Sequence, residues 1–146
     1  MSQIPTRQFG LLEYDPDTVV EFSAGLPGFE DQTRFVLVER PAVAPILFMQ
    51  SLDLPDLCFL TAPLSALDAG YELAVTPEDE RRLGLASHEE MLCLAILSAA
   101  ENGPLTANLL APVLINLRTR RAVQAVRTDS RYSHRQDLTA LEGSCS

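Results

Sequence analysis

Short apolar runs separated by turn residues fill the first half of the chain. They fall at Phe9–Tyr14, Thr18–Phe22, Phe35–Glu39, Ile46–Leu52, Leu57–Thr61 and Tyr71–Val75. Ten prolines, nearly all at the ends of these runs, cut the chain into pieces of strand length. This is the pattern of an all-β protein. The first two runs flank Asp15-Pro16-Asp17, where proline presets φ for a turn, and read as a hairpin. Gly25-Leu26-Pro27-Gly28 suits no regular element and predicts a tight loop. Further on, Val113–Leu117 and Ala122–Val126 read as strands joined through Arg118-Thr119-Arg120-Arg121.

One short helix is well signalled. Thr76 can cap it, Pro77 suits its first position, and Glu78, Asp79 and Glu80 place charge at the positive end of its dipole. Gly84 stops it after about two turns. Residues 87–101 are a fork. Ser87-His88-Glu89-Glu90 has the spacing of a helix capping box, yet Met91-Leu92-Cys93-Leu94-Ala95-Ile96-Leu97 is apolar all round and fits a buried strand equally well.

Polar residues embedded in the later runs are more informative than the runs themselves. Asn108, Asn116 and Gln124 stand where burial is expected, and an unpaired buried amide costs about 1–3 kcal/mol. They are therefore expected to pair with backbone or with each other. Asn108 and Asn116 belong to one string, Thr106-Ala107-Asn108-Leu109-Leu110-Ala111-Pro112-Val113-Leu114-Ile115-Asn116, followed downstream by Gln124 and then Asp129-Ser130-Arg131-Tyr132. Upstream stand Gly25-Leu26-Pro27-Gly28-Phe29-Glu30 and Met49-Gln50-Ser51.

Together these segments resemble the flagellar assembly factor FliW family, over roughly Phe9 to Tyr132. The motif residues are Gly25, Pro27, Gly28, Gln50, Ser51, Asn108, Leu109, Ala111, Pro112, Asn116, Gln124, Ser130 and Tyr132, which are expected to be mainly structural. The fit loosens between Phe35 and Ser51, where Ile46 follows Pro45 in place of the family's usual aromatic. The resemblance implies a mainly β, compact, barrel-like antiparallel fold with one or two short helices, and it tips 87–101 toward strand. It implies a cytoplasmic, chaperone-like regulatory protein that binds CsrA, a small basic RNA-binding translational repressor, and so relieves repression of flagellin synthesis. It further implies binding of flagellin in a partner switch, with no cofactor and no catalysis.

Length and composition fit one domain, expected over 1–136, with a loose tail at 137–146. No apolar run approaches the ~18 residues that span a bilayer, and the first residues offer no apolar core for a signal peptide, so the cytoplasm is the default. Of three cysteines, Cys58 and Cys93 lie in apolar runs and read as small buried hydrophobes, while Cys145 lies in the tail. His88 and His134 are the only histidines, so a metal site is not expected. The possible hydrolytic groupings, Ser87-His88-Glu89 and Ser130 with His134 and Asp137, lack a nucleophile elbow or oxyanion loop.

Charge changes the picture most. Twenty acids face eleven arginines, with no lysine, for a net charge of −9. Residues 1–105 carry seventeen acids and five arginines, whereas 106–146 carry three acids and six arginines. Such a chain repels nucleic acid and attracts basic partners. The candidate docking acids are Glu13, Asp15 and Asp17, with Glu30 and Asp31; a merely solvated surface is the plain alternative. Phe29 either plugs the core from outside or, with Leu26, forms an exposed apolar knuckle for a protein partner. Two rival readings remain. One is a β-barrel with Asn108, Asn116 and Gln124 lining a metabolite or carbohydrate pocket; the other is an RNA-binding hairpin built on Arg118, Arg120, Arg121 and Arg127.

Overall fold

A computed structural model describes residues 1–84, 91–99, 105–126 and 132–138. Its strands are β1 (Ser2–Thr6), β2 (Gly10–Tyr14), β3 (Val20–Phe22), β4 (Arg34–Glu39), β5 (Leu47–Ser51), β6 (Cys58–Pro63), β7 (Met91–Ala99), β8 (Leu105–Asn116), β9 (Arg121–Gln124) and β10 (Gln136–Asp137). Two short helices, α1 (Leu64–Leu67) and α2 (Pro77–Leu83), follow β6.

Strands β3 to β9 close into a seven-stranded barrel in the order β9-β3-β4-β5-β6-β7-β8, with β8 returning to β9. All pairings are antiparallel except β3 with β9, which run parallel. Closure removes the open edges that would otherwise recruit other chains. The barrel is filled by Val20, Phe22, Phe35, Met49, Leu94, Val113, Ile115 and Ala122, all at most 2% exposed.

The strands are apolar on both faces because the barrel wears an outer layer. The β1–β2 hairpin brings Ile4 and Leu12 over Val36, Val38 and Phe48, on the outward faces of β4 and β5. On another side α1, the 71–75 segment and Leu138 cover Ala95, Leu97, Ala107 and Leu109. Leu83 of α2 packs on Leu114, Val123 and Ala125. This two-sided burial explains the all-round apolar run in β7, which is a strand as the family resemblance implied; its capping-box residues 87–90 lie outside the described residues. The helix α2 forms as read from sequence: Thr76 Oγ1 accepts the Asp79 N–H at 3.1 Å, and Gly84 ends it at φ 63°.

Three expectations are corrected. Phe9–Tyr14 and Thr18–Phe22 do not form a hairpin. Asp15 does turn the chain, its Oδ1 accepting the Asp17 N–H, but β2 pairs back with β1 and β3 pairs with β4 and β9. Tyr71–Val75 is not a strand. Its Tyr71, Leu73 and Val75 alternate inward as a strand's would, yet the segment lies on the barrel wall without joining a ladder. The end of the chain is not loose from 137 on. Asp137 pairs with Thr106, the Leu138 N–H donates to Leu105 O at 3.1 Å, and Leu138 is buried; 139–146 lie outside the described residues.

Candidate functional site: the open end of the barrel

The glycine loop crosses one end of the barrel. Its backbone is a reversal from Leu26 to Phe29, with the Phe29 N–H donating to Leu26 O at 2.7 Å. Pro27 and Gly28 (φ 84°) occupy the central positions in the order a type II turn demands. The Glu30 carboxylate accepts the Gly28 N–H at 3.2 Å. Leu26 and Phe29 then part company. Leu26 is 2% exposed and belongs to the barrel core, so its place in an exposed knuckle is corrected: it anchors the loop from below. Phe29 is 38% exposed and meets Phe59 edge to face, centroids 5.5 Å apart.

The signature string of β8 builds the opposite wall. Leu94 pairs with Val113 and Ile96 with Asn108, so 109–112 stand opposite the single residue Ala95. The bulge bends β8 and takes its backbone groups off the ladder. Asn108 Oδ1 accepts the N–H groups of Leu110 and Ala111, both at 3.1 Å. The Tyr71 hydroxyl donates to Leu109 O at 2.6 Å, and Gln124 Nε2 donates to Ala111 O at 3.0 Å. The Leu109 N–H donates to Ser133 O, and Pro112, which has no N–H, accepts from the Ala125 N–H. Asn108 and Gln124 therefore serve backbone that the bulge would otherwise orphan.

Asn116 does the same at the strand's end. Its Nδ2 donates to Leu83 O (2.9 Å) and Gly84 O (3.3 Å), while its Oδ1 accepts from Arg118 N (2.9 Å) and Thr119 N (3.3 Å). One side chain thus ties the end of α2 to the β8–β9 turn. Gln50, fully buried, donates to Ser51 O and Pro55 O, and Ser51 Oγ accepts from Asp53 N and Leu54 N, pinning the β5–β6 connection. Tyr132 stacks on Tyr71 with centroids 4.2 Å apart and accepts the Glu72 N–H; Ser130 and Arg127 lie outside the described residues.

Between these walls runs a groove of about 310 Å³, lined by Leu26, Pro27, Phe29, Phe59, Ile96, Asn108, Ala111, Gln124 and Val126. Val126 is 61% exposed. A second hollow of about 270 Å³ lies on the other side of the loop, with Glu30 and Arg82 facing Ala122 and Val123, and shares Pro27 and Gln124 with the first. Phe59, Ile96 and Val126 gave no signal in the sequence, since each reads as an ordinary strand residue. The three amides do not converge on one pocket as the metabolite reading requires: Asn108 and Gln124 line the groove, but Asn116 is fully buried beside α2.

The acids divide into two sets. Glu13, Asp15 and Asp17 are exposed around the corner after β2, and Glu30 and Asp31 are exposed on the glycine loop. Of the hairpin arginines, Arg118 Nη2 is occupied by Gly84 O at 3.0 Å. Among the described residues no group of three His, Cys, Asp or Glu side chains could hold a metal ion, and no helix is long and apolar enough to cross a membrane. Burial pushes the Cys58 thiol up to about 11 and raises that of Cys93 too. Iodoacetamide at pH 8 is expected to label both at least about a hundredfold more slowly in the native protein than in denaturant, because little thiolate is present. Peptide mass spectrometry of the labelled sites checks this.

Known proteins share this architecture. The profile of the FliW protein family matches residues 3–138. A flagellar assembly factor FliW from Syntrophotalea carbinolica is 32% identical over 140 residues, covering 96% of this chain and all of that protein. Another, from an Azoarcus species, is 40% identical over 132 residues, covering 85% and 90%. A crystal structure of the flagellar assembly factor FliW superposes with a TM-score of 0.87 at 28% identity, covering 94% of this chain and 96% of that one. The barrel is thus an established fold, and the chain belongs to the FliW family of flagellar assembly factors.

Proposed function

We propose that this flagellar assembly factor works in the cytoplasm by binding two proteins, the RNA-binding repressor CsrA and flagellin, and turns over no substrate. Accumulating flagellin would occupy the protein and free the repressor; falling flagellin would release the protein to restrain it. The observation that carries the first half is the acidic surface. The chain has a net charge of −9, and Glu13, Asp15 and Asp17 stand exposed at one corner while Glu30 and Asp31 stand exposed on the loop. A protein that grips RNA phosphates must be basic, and an acidic surface both speeds their encounter and repels the RNA. Bound in this way, the chain adds negative potential near the RNA groove and weakens RNA affinity without filling it. The second half rests on Phe29, an exposed aromatic of the kind that anchors protein interfaces.

Calorimetric titration with the CsrA-type repressor of the same organism tests the electrostatic half. Binding is expected to weaken at least about tenfold between 50 and 200 mM salt, since surface charges are screened within about 8–10 Å at physiological ionic strength. Absence of binding at both salts would remove the repressor from the scheme and leave flagellin alone. Complete displacement of the protein by excess RNA would favour simple occlusion over added potential.

A further inference from the structure

The groove at the open end of the barrel combines features that a mere packing defect does not. Two exposed large apolar side chains, Phe29 and Val126, lie on it together, with Phe59, Ile96 and Pro27 completing an apolar floor. Two hydrogen-bonding atoms on the same lining are left over. Asn108 spends its Oδ1 on the bulge, and its Nδ2 has no partner among the described residues. Gln124 spends its Nε2 on Ala111 O, and its Oε1 is likewise unpartnered there. One donor and one acceptor beside an apolar floor match the alternating C=O and N–H of a peptide backbone. A helix satisfies those backbone groups internally, so the matching segment is extended. The exposed carboxylates of Glu30 and Asp31 follow Phe29 in the loop, Glu30 toward the neighbouring hollow, and favour a basic side chain where the segment leaves the groove over that loop.

We infer that this groove binds an extended stretch of another protein chain, with apolar side chains seated on Phe29, Phe59 and Val126 and a lysine or arginine beside Glu30 and Asp31. A small molecule suits the site less well. About 310 Å³ is at the small end of the roughly 300–1,000 Å³ of ligand pockets, and the exposure of Phe29 and Val126 leaves the groove open. This rests on the reading of flagellin as a partner and assigns that partner a site and a chemistry.

The test uses the full chain, flagellin from the same organism, and overlapping fifteen-residue peptides covering that flagellin. Phe29→Asp and Val126→Asp are expected to weaken flagellin binding at least tenfold. Leu11→Asp, which also replaces an exposed apolar residue but on the β1–β2 hairpin, is expected to change it less than twofold. Val126 is exposed enough that its variant should melt as the wild type does, keeping the test valid if Phe29→Asp folds poorly. Peptides that bind should pair bulky apolar residues with a lysine or arginine, and N-methylation at a single backbone position should cost at least tenfold. If wild-type protein binds flagellin and both groove variants bind equally well, the groove assignment falls and the flagellin reading stands. If wild-type protein binds no flagellin, that reading falls and takes the assignment with it. Binding peptides that tolerate N-methylation throughout, or groove variants that act only by breaking a self-associated form seen in sedimentation, would also overturn it.

Discussion

Asn116→Ala is expected to lower the unfolding free energy by about 3 kcal/mol, a large part of what a domain of this size possesses. The side chain is fully buried and makes four hydrogen bonds, two given to the last carbonyls of α2 and two taken from the β8–β9 turn. Thr119 Oγ1 also donates to Leu83 O at 2.8 Å and Arg118 Nη2 reaches Gly84 O, so those carbonyls are not wholly abandoned in the variant. The N–H groups of Arg118 and Thr119 lose the Asn116 oxygen as acceptor, and a cavity opens beside Leu83. Urea denaturation followed by circular dichroism measures the loss. Asn116→Asp separates the two halves of the interaction. It keeps the accepted bonds but sets a carboxylate against two carbonyl oxygens. That raises its pKa in the folded state above the unfolded value of about 3.9. Protonation is then favoured by folding, so this variant should be no better than alanine at pH 7 and should regain stability as the pH falls through the raised pKa. A midpoint shift below about 0.5 kcal/mol for Asn116→Ala would show that the amide is not the tie between helix and turn.

What the sequence made legible follows from where its signals act. Thr76, Pro77 and Gly84 speak about local backbone, and α2 forms where they place it. The amides at 108, 116 and 124 were legible as groups needing partners, and each takes backbone ones; that the partners of Asn108 and Gln124 belong to a bulge was not, because a bulge is a relation between two strands. Tyr71–Val75 shows the limit of periodicity. Alternate burial requires only an extended chain on an apolar surface, and a ladder also needs a free edge, which the closed barrel does not offer there. The missing β2–β3 hairpin has a similar cause: Asp15 and Pro16 make a turn, but β3 is claimed by β4 and β9, and β2 by a first strand, Ser2–Thr6, that lies ahead of the first apolar run. At the candidate site, Gly25 to Phe29 announced the loop. Phe59, Ile96 and Val126 come together only when the barrel closes.

Gly25→Ala and Gly28→Ala should separate by several-fold in effect although both glycines have positive φ. At Gly28 (φ 84°) an added Cβ meets nothing within 4 Å, so the cost is the backbone strain of a non-glycine residue there, about 1–2 kcal/mol. At Gly25 (φ 66°) the same atom would lie 2.5 Å from Glu30 O and 2.6 Å from its Cα. These are backbone atoms, so the loop has no side chain to rotate away; either it shifts as a whole or the substitution carries strain and clash together. A loss of at least about 3 kcal/mol, or a partly displaced loop, is expected. Displacement would reach function directly. The loop separates the groove bearing Phe29 from the hollow bearing Glu30 and Arg82, and Pro27 lines both. Gly25→Ala should therefore weaken flagellin binding even at temperatures where the barrel remains folded, while Gly28→Ala leaves that affinity within about threefold once its smaller stability loss is accounted for. Thermal melts and flagellin titrations on the two variants, run side by side, check both halves. Equal stability losses would mean that the contact between Gly25 and Glu30 does not fix the loop, and unchanged flagellin affinity in a folded Gly25→Ala protein would place that partner elsewhere on the surface.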